Sequence, residues 1–450
     1  MSRDADLRGL GGRARALALG AGVVATALIV AGCASGGDAA APDAGDGTGT
    51  ITVWAQEGQE GEVQAAKDVV AAFNESQEDI TAELTLIPQA TYGQTLASTD
   101  VDALPDVYEF DGETLGALVY AGKLRQLDGL VADETIQSQI PSILAEGTYS
   151  DGNVYAVAQY DSGLGLYGNA SLLAAAGITD VPTTVEDAWT VDEFEDAVVA
   201  LAGVTPGGKG LDIKENYAGT WPGYAFTPVV NSAGQPLVTD GSAEGALNAP
   251  EVADALTRFA TWRQYVDPNA DDKAFTDGRV GLSWVGHWNY PAYAEALGDD
   301  LVVLPLPDFG NGTKSGQGSH AWGIGADSPN AAAGAKFLEF LMQDEWITQI
   351  TTANGAVPGT TSAIAASELY AEGGPLRLYY DQLQLTCGSE PPTPDCVTVP
   401  RTISPAWPVI NTSFSEAFWA IYGGADAQTE LDKAAKAIDL DYADNGGYED

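Results

Sequence analysis

Two short stretches set an imidazole beside an indole after a glycine: RVGLSWVGHWNYPAY at residues 279–293 and GSHAWGIG at 318–325. They hold the chain's only two histidines, His287 and His320. A metal reading would need carboxylate or thiolate ligands at set spacings, and the only cysteine pair downstream, C-x8-C with no histidine near it, lacks zinc spacing. The expectation is therefore hydrogen-bonding imidazoles, no metal and no cofactor. Indole, imidazole and amide groups on one loop suit binding instead, which brings forward Trp288 and Asn289 from the first stretch and His320 and Trp322 from the second. A third stretch, YEFDGE, offers Glu109, Asp111 and Glu113. Two carboxylates about 5–10 Å apart can hydrolyse a glycosidic bond, but among 64 acidic residues proximity in sequence says little. With no G-x-S-x-G, H-E-x-x-H or P-loop pattern, no enzyme is expected.

These residues need a scaffold. Val280, Leu282 and Trp284 alternate as in a half-buried strand that delivers His287 to Tyr290 onto an exposed loop. ITVWA at 51–55 reads as a strand followed by a helix through Val63, Ala66, Val70 and Phe73. ELTLI at 83–87 and DVYEF at 106–110 are further strands. Thr190 and Glu193 have capping-box spacing before a helix through Phe194, Val198 and Leu201. Ser328-Pro329 reads as N-cap and N1 of a helix through Phe337, Phe340 and Leu341. The last periodic segment, near 428–438, precedes an acidic tail, DYADNGGYED, that is expected to fray. Strands alternating with helices predict α/β architecture.

The start of the chain carries an address. Arg3, Arg8, Arg13 and Arg15 precede an uncharged apolar run, 16–32, and Cys33 follows at once. The run is short for a membrane span and has the form of an export signal. Val30-Ala31-Gly32-Cys33 resembles a bacterial lipoprotein box, which implies a signal peptide over 1–32 and lipidation at Cys33. Residues 33–49, almost wholly Ala, Gly, Asp, Ser, Thr and Pro, read as a disordered tether. With 19 basic against 64 acidic residues the formal charge is −45, which argues against nucleic acid as a partner and disfavours anionic substrates, although one well-placed arginine could overrule the average field. Cys387 and Cys396, in an exported chain, read as a disulfide.

The order of motifs resembles the extracellular solute-binding proteins of ABC transporters, the maltose-binding-protein-like group. ITVWAQ resembles the opening strand, and LPDVYEFDGETLGALVYAGKLRQLDGLV the Pro-Asp strand with its helix and Leu-rich turn. DGNVYAVAQYDSGLGLYGNASLLAAAGI is similar to the crossover, with Tyr167-Gly168-Asn169 where the family often has Tyr-Tyr-Asn. FTDGRVGLSWVGHW carries Gly281-Leu282 in place of Ala-Met. The segment from SGQGSHAWGIG through ANGAVPGTTSA resembles the return strand, helix and exit. The resemblance implies a two-lobed periplasmic-binding-protein-like fold with a hinge of two or three crossover segments and a ligand cleft between the lobes. The N-terminal lobe would be 51–160 and 322–356, and the C-terminal lobe 161–321 and 357–450.

On that frame the ligand-binding candidates are Trp54, Glu57, Asp111, Asp161, Trp221, Tyr224, Trp288, Asn289, His320, Trp322 and Trp407. Several have structural alternatives: Trp54 continues the strand alternation, Asp111 could cap a helix, and Asp161 could hold a hinge turn. The resemblance implies a monomeric lipoprotein at the outer face of the cytoplasmic membrane that binds a neutral sugar, an oligosaccharide, for an ABC permease. The alternatives are a polyamine or other cationic solute, an exported glycosidase, and an adhesion scaffold.

Overall fold

The computed structural model describes residues 43–388 and 390–448. The leader and Cys33 lie outside the described residues. The strands are β1 Gly49–Glu57, β2 Ile80–Pro88, β3 Val107–Asp111, β4 Leu124–Arg125, β5 Tyr160–Asp161, β6 Leu164–Asn169, β7 Leu211–Asp212, β8 Leu282–Gly286, β9 Leu301–Leu304, β10 Ser315–Gln317, β11 His320–Gly325, β12 Val357–Pro358 and β13 Thr398–Pro400. They form a five-stranded sheet, β2-β1-β3-β11-β4, and a four-stranded sheet, β7-β8-β6-β9. β1 is parallel to β2 and β3, while β11 runs antiparallel to β3 and β4. Two short pairs, β5 with β12 and β10 with β13, accompany the passages of the chain between the sheets. This is a mixed α/β architecture built on two sheets.

Ile51, Val53 and Ala55 of β1 are buried, and helix Glu60–Ser76 brings Val69, Val70 and Phe73 to the same core, while its Ala65 packs in a small cluster with Tyr160 and Ile350. Those positions recur at helical spacing, as an amphipathic helix requires. Phe73 meets Phe337 and Phe340 edge-on at 5.2 and 5.4 Å. Asp106 fixes this corner. It accepts from the Thr52 amide at 2.8 Å and hydroxyl at 3.0 Å, and from Ser328 Oγ at 2.6 Å and Asn330 Nδ2 at 3.2 Å. The helix starts later than the sequence reading placed it: it spans Ala331–Leu341 with Asn330 at its cap, while the Ser328 hydroxyl donates to Asp106 and accepts from the Asn330 amide at 3.1 Å.

The second sheet is covered by helices Pro250–Thr261, Trp407–Tyr422 and Ala427–Asp444. Phe226 stacks on Phe418 at 4.3 Å, and Trp284 donates its indole N–H to Ala225 O at 3.0 Å. β8 differs from its expectation: every residue from Leu282 to Gly286 is buried, so the strand is covered on both faces. The capping box at Thr190 is present, with Glu193 Oε2 accepting from the Thr190 amide at 2.9 Å.

Both ends of the described residues make contacts that their composition does not suggest. Within the segment read as tether, Ala44 O accepts from the Ala332 amide and Gly47 O from Lys336 Nζ, so residues 43–48 cover the start of helix Ala331–Leu341. At the other end the helix continues to Asp444, and the Tyr448 ring packs against Tyr120 at 5.1 Å and Tyr442 at 5.5 Å. Aromatic contact holds a tail that charge alone would release.

Asp106→Ala leaves one buried and three part-buried donors without their acceptor and is expected to cost about 3 kcal/mol in urea unfolding. A loss below about 1 kcal/mol would show that the corner is held by its apolar contacts alone.

Candidate binding site between the two sheets

Strand ends and loops from both sheets converge at β5, β10 and β11. From the second sheet, the β8 tip turns into a single 3-10 turn, His287–Asn289. A side chain at Gly286 would collide with the Trp288 ring at 2.1 Å, so glycine here is what lets the indole fold back over the strand end. Trp288 then stands 6.0 Å from Trp221 and 6.1 Å from Tyr224, and Trp221 lies 5.2 Å from Tyr217. Trp288 Nε1 donates to Tyr217 Oη at 3.3 Å, and Tyr217 Oη donates to Asn289 Oδ1 at 3.2 Å. The first sheet reaches this cluster through Gln59, whose amide donates to Trp288 O at 3.2 Å.

His287 is not on an exposed loop. It is 3% exposed, and its ring nitrogens lie 2.9 Å from Asn354 O and 3.1 Å from Ser162 Oγ. The carbonyl can only accept, so Nδ1 carries the proton and Nε2 accepts from Ser162. Ser162 in turn accepts from Tyr224 Oη at 3.0 Å. Burial holds the imidazole down to about 4, so it is neutral. Tyr224, Ser162, His287 and Asn354 thus form one directed chain across the crossover.

Charge gathers beside it. His320 presents Nδ1 to Glu109 Oε1 at 3.2 Å and Nε2 to Asp111 Oδ1 at 3.3 Å. Burial opposes its charge, but hydrogen bonds to Asp111 and Glu109 win and raise it well above the ordinary histidine value. Arg401 places Nη1 2.5 Å from Glu113 and Nη2 3.4 Å from Glu146, with its guanidinium over the Tyr224 ring at 5.0 Å. Burial pushes Glu113 up to about 7 and Glu146 up to about 8 in spite of that guanidinium. Asp161 is fully buried, accepts from the amides of Ser162 at 2.7 Å and Gly318 at 3.3 Å, and is raised by desolvation.

Next to Arg401 a cavity of about 490 Å³ opens, with Tyr224, Trp407 and Arg401 on one part of its wall and Pro141, Ser142 and Ala145 of helix Pro141–Gly147 on another. Its size falls in the range of about 300–1,000 Å³ common to small-molecule sites. Gln317 and Asn231 add amides to the lining.

The sequence candidates are distributed as follows. Trp221, Tyr224, Trp288 and Asn289 come together in the aromatic cluster, and Asp111, Asp161 and His320 belong to the charged one. Trp407 is 3% exposed, packed in the second core and bordering the cavity. Trp322, 6% exposed, packs in the core of the first sheet. Trp54 is half-buried against the core cluster that holds Tyr92 and Phe110, and Glu57 is exposed at the end of β1. Sequence reading missed Arg401, Glu146, Ser162 and Tyr217. Arg401 had a signal, since basic residues are scarce in so acidic a chain; Glu146 had none.

The model of a bacterial extracellular solute-binding protein family matches residues 68–374. The chain belongs to that family. No curated protein matches this solute-binding protein by sequence. Its fold is shared with the cyclic α-maltosyl-1,6-maltose binding protein of Arthrobacter globiformis, at 23% identity and TM-score 0.69 over 87% of this chain and 98% of that one. The GacH receptor of Streptomyces glaucescens, solved unliganded and with acarbose, aligns at 20% identity and TM-score 0.70 over 88% and 98%. The maltose/maltodextrin-binding domain MalE of Bdellovibrio bacteriovorus, bound to maltotriose, aligns at 17% identity and TM-score 0.70 over 88% and 100%. At these identities the likeness establishes the fold.

The raised carboxyls fix a pH dependence. Glu146 ordinarily titrates near 4.5 and does so at about 8 in the folded protein, so the folded state binds more protons throughout that window and stability falls as pH rises through it. The groups facing it are Arg401, Glu113, Asp161 and the Ser319 amide. Between pH 5 and 8 the wild type is expected to lose at least about 1.4 kcal/mol more than Glu146→Gln, the equivalent of one pK unit. Parallel stability curves for the two proteins would remove burial of Glu146 as the cause.

Proposed function

We propose that this solute-binding protein is the receptor of an ABC importer and captures a neutral sugar, an oligosaccharide, between two lobes that close on it. The N-terminal lobe would comprise 51–160 and 322–356, and the C-terminal lobe 161–321 and 357–450. The observation that carries the reading is the cavity of about 490 Å³, lined by aromatic Tyr224 and Trp407 and by the amides of Gln317 and Asn231. Sugars present C–H faces that lie on aromatic rings and hydroxyls that need donors and acceptors, and this wall supplies both. Charge points the same way. Arg401 is the cavity's one cation among the described residues; its guanidinium is engaged by the carboxyls of Glu113 and Glu146, and the Glu390 carboxylate lies on the same wall, which disfavours an anionic solute. The structural relatives are a cyclic α-maltosyl-1,6-maltose binding protein, a receptor solved with acarbose and a maltose/maltodextrin-binding domain bound to maltotriose, which supports a sugar here.

Solute that touches both lobes binds the closed arrangement better and so drives closure. Within the site we assign Tyr224, Trp288 and Trp407 as stacking surfaces, and Asp111, Asn289 and His320 as hydroxyl partners. The protein acts by binding alone. Export by the segment before Cys33 and lipidation of that cysteine would hold it beside its permease.

Calorimetric titration of the purified protein with neutral maltooligosaccharides tests the reading. Saturable binding is expected, weakened by about 10- to 100-fold in Tyr224→Ala, which loses a ring at the cavity wall. Binding of polyamines without sugars would move the ligand to the cationic class, and release of reducing sugar would make the protein an enzyme.

A further inference from the structure

The disulfide closes a loop that belongs to the site. Cys387 and Cys396 are bonded, and Gly388, Glu390 and Pro392 from the loop between them line the same cavity as Tyr224 and Trp407. The stems of the loop are joined to each other by Val397 N–H donating to Leu385 O, and Cys387 N–H to Thr398 O at 2.8 Å. Asn311 Nδ2 donates to Pro392 O at 3.0 Å, which ties the loop to the segment before β10, and Thr386, the residue before the loop, donates Oγ1 to Gln317 Oε1 of the cavity wall at 3.3 Å. Apolar burial contributes little: Glu390, Pro391, Thr393, Pro394 and Asp395 are exposed, and only Cys387 and Pro392 are buried. A wall made of exposed residues keeps its position through covalent closure and proline stiffness, because both remove alternative conformations of the segment.

The loop also brings a charge. Of the residues lining the cavity only Arg401 and Glu390 are charged; Arg401 is held by Glu113 and Glu146, whereas Glu390 makes no ion pair among the described residues. A solute reaching that end therefore meets one uncompensated carboxylate. Like charge there is rejected by repulsion, an effect of discrimination more than of affinity.

We propose that the disulfide-bonded loop Cys387–Cys396 is a specificity element of the site: it fixes the cavity wall that sets how long a sugar is accepted, and through Glu390 it excludes a negative charge at that end. The proposal rests on the sugar reading for its ligand and on the loop alone for its wall.

The test compares wild type, Cys387→Ser/Cys396→Ser and Glu390→Gln. Each is titrated with a maltooligosaccharide length series and with the same sugars ending in a uronate. In parallel, hydrogen exchange is followed over residues 141–147 and 398–407. The double serine variant, if cooperatively folded by thermal melt, is expected to lose about tenfold selectivity among lengths and to exchange faster over 398–407. Glu390→Gln is expected to raise the uronate-to-neutral affinity ratio about fivefold. An unchanged length profile and unchanged exchange in the double variant would overturn the wall, and an unchanged uronate ratio would overturn the charge. If wild type binds no sugar the sugar reading fails, and the exchange comparison still decides the wall.

Discussion

One buried guanidinium organises the meeting of the two sheets. Arg401 sits in the loop that leads into helix Trp407–Tyr422, and its partners Glu113 and Glu146 stand on elements of the other body, after β3 and on helix Pro141–Gly147. A charge removed from water must be compensated where it is, since the desolvation penalty is several kcal/mol per ion. The position of the second body's last loop against the first is therefore fixed by the contacts of this guanidinium with two carboxyls as well as by packing. Tyr224 is fixed in the same act, because its ring is the face on which the guanidinium lies. From Tyr224 the hydrogen-bond chain runs through Ser162 and His287 to Asn354, so displacement of Arg401 would be felt at the end of helix Asp344–Asn354.

That chain shows how a neutral and a charged histidine coexist in one site. His287 faces a carbonyl and a hydroxyl, and burial leaves it uncharged; His320 faces two carboxylates, and they hold its proton. Both rings lie edge-on to Tyr160, at 6.2 and 6.1 Å. The same residue type gives two electrostatic characters on the two sides of one aromatic ring, decided by the partner each nitrogen meets.

The fold was legible from period. Ile51, Val53 and Ala55 against the helix face of Val69, Val70 and Phe73 is the alternation and spacing that the chain displays in its letters. Period also misled, because β8 shows the same alternation yet is covered on both sides, and nothing local says that helices will cover its second face. Within the site, aromatic residues on Gly- and Pro-interrupted loops were legible: Trp221, Tyr224 and Trp288 do converge. Their partners were not. Glu146 lies in an unremarkable helix and acquires its role only when Arg401, 255 residues further along, is folded against it. The acidic tail was misjudged for the same reason, since a segment rich in Asp and Gly shows its charge openly, while the Tyr448–Tyr120 contact depends on the tertiary fold.

The overall charge and the charge of the site are separate quantities, and the site governs what binds. A formal charge of −45 is spread over the molecule. At physiological ionic strength exposed charges more than about 8 Å away are largely screened, so distant carboxylates steer an approaching solute weakly. Inside the cavity wall screening is poorer and individual groups dominate. There the count is small: one guanidinium, whose two carboxyl partners have their ionisation suppressed by burial, and the Glu390 carboxylate at the loop. A wall so nearly balanced gains little from a charged ligand and pays no large desolvation cost with a neutral one. Stacking area and hydroxyl pairing are then left to determine affinity, which is how an acidic protein can hold a site suited to a neutral sugar.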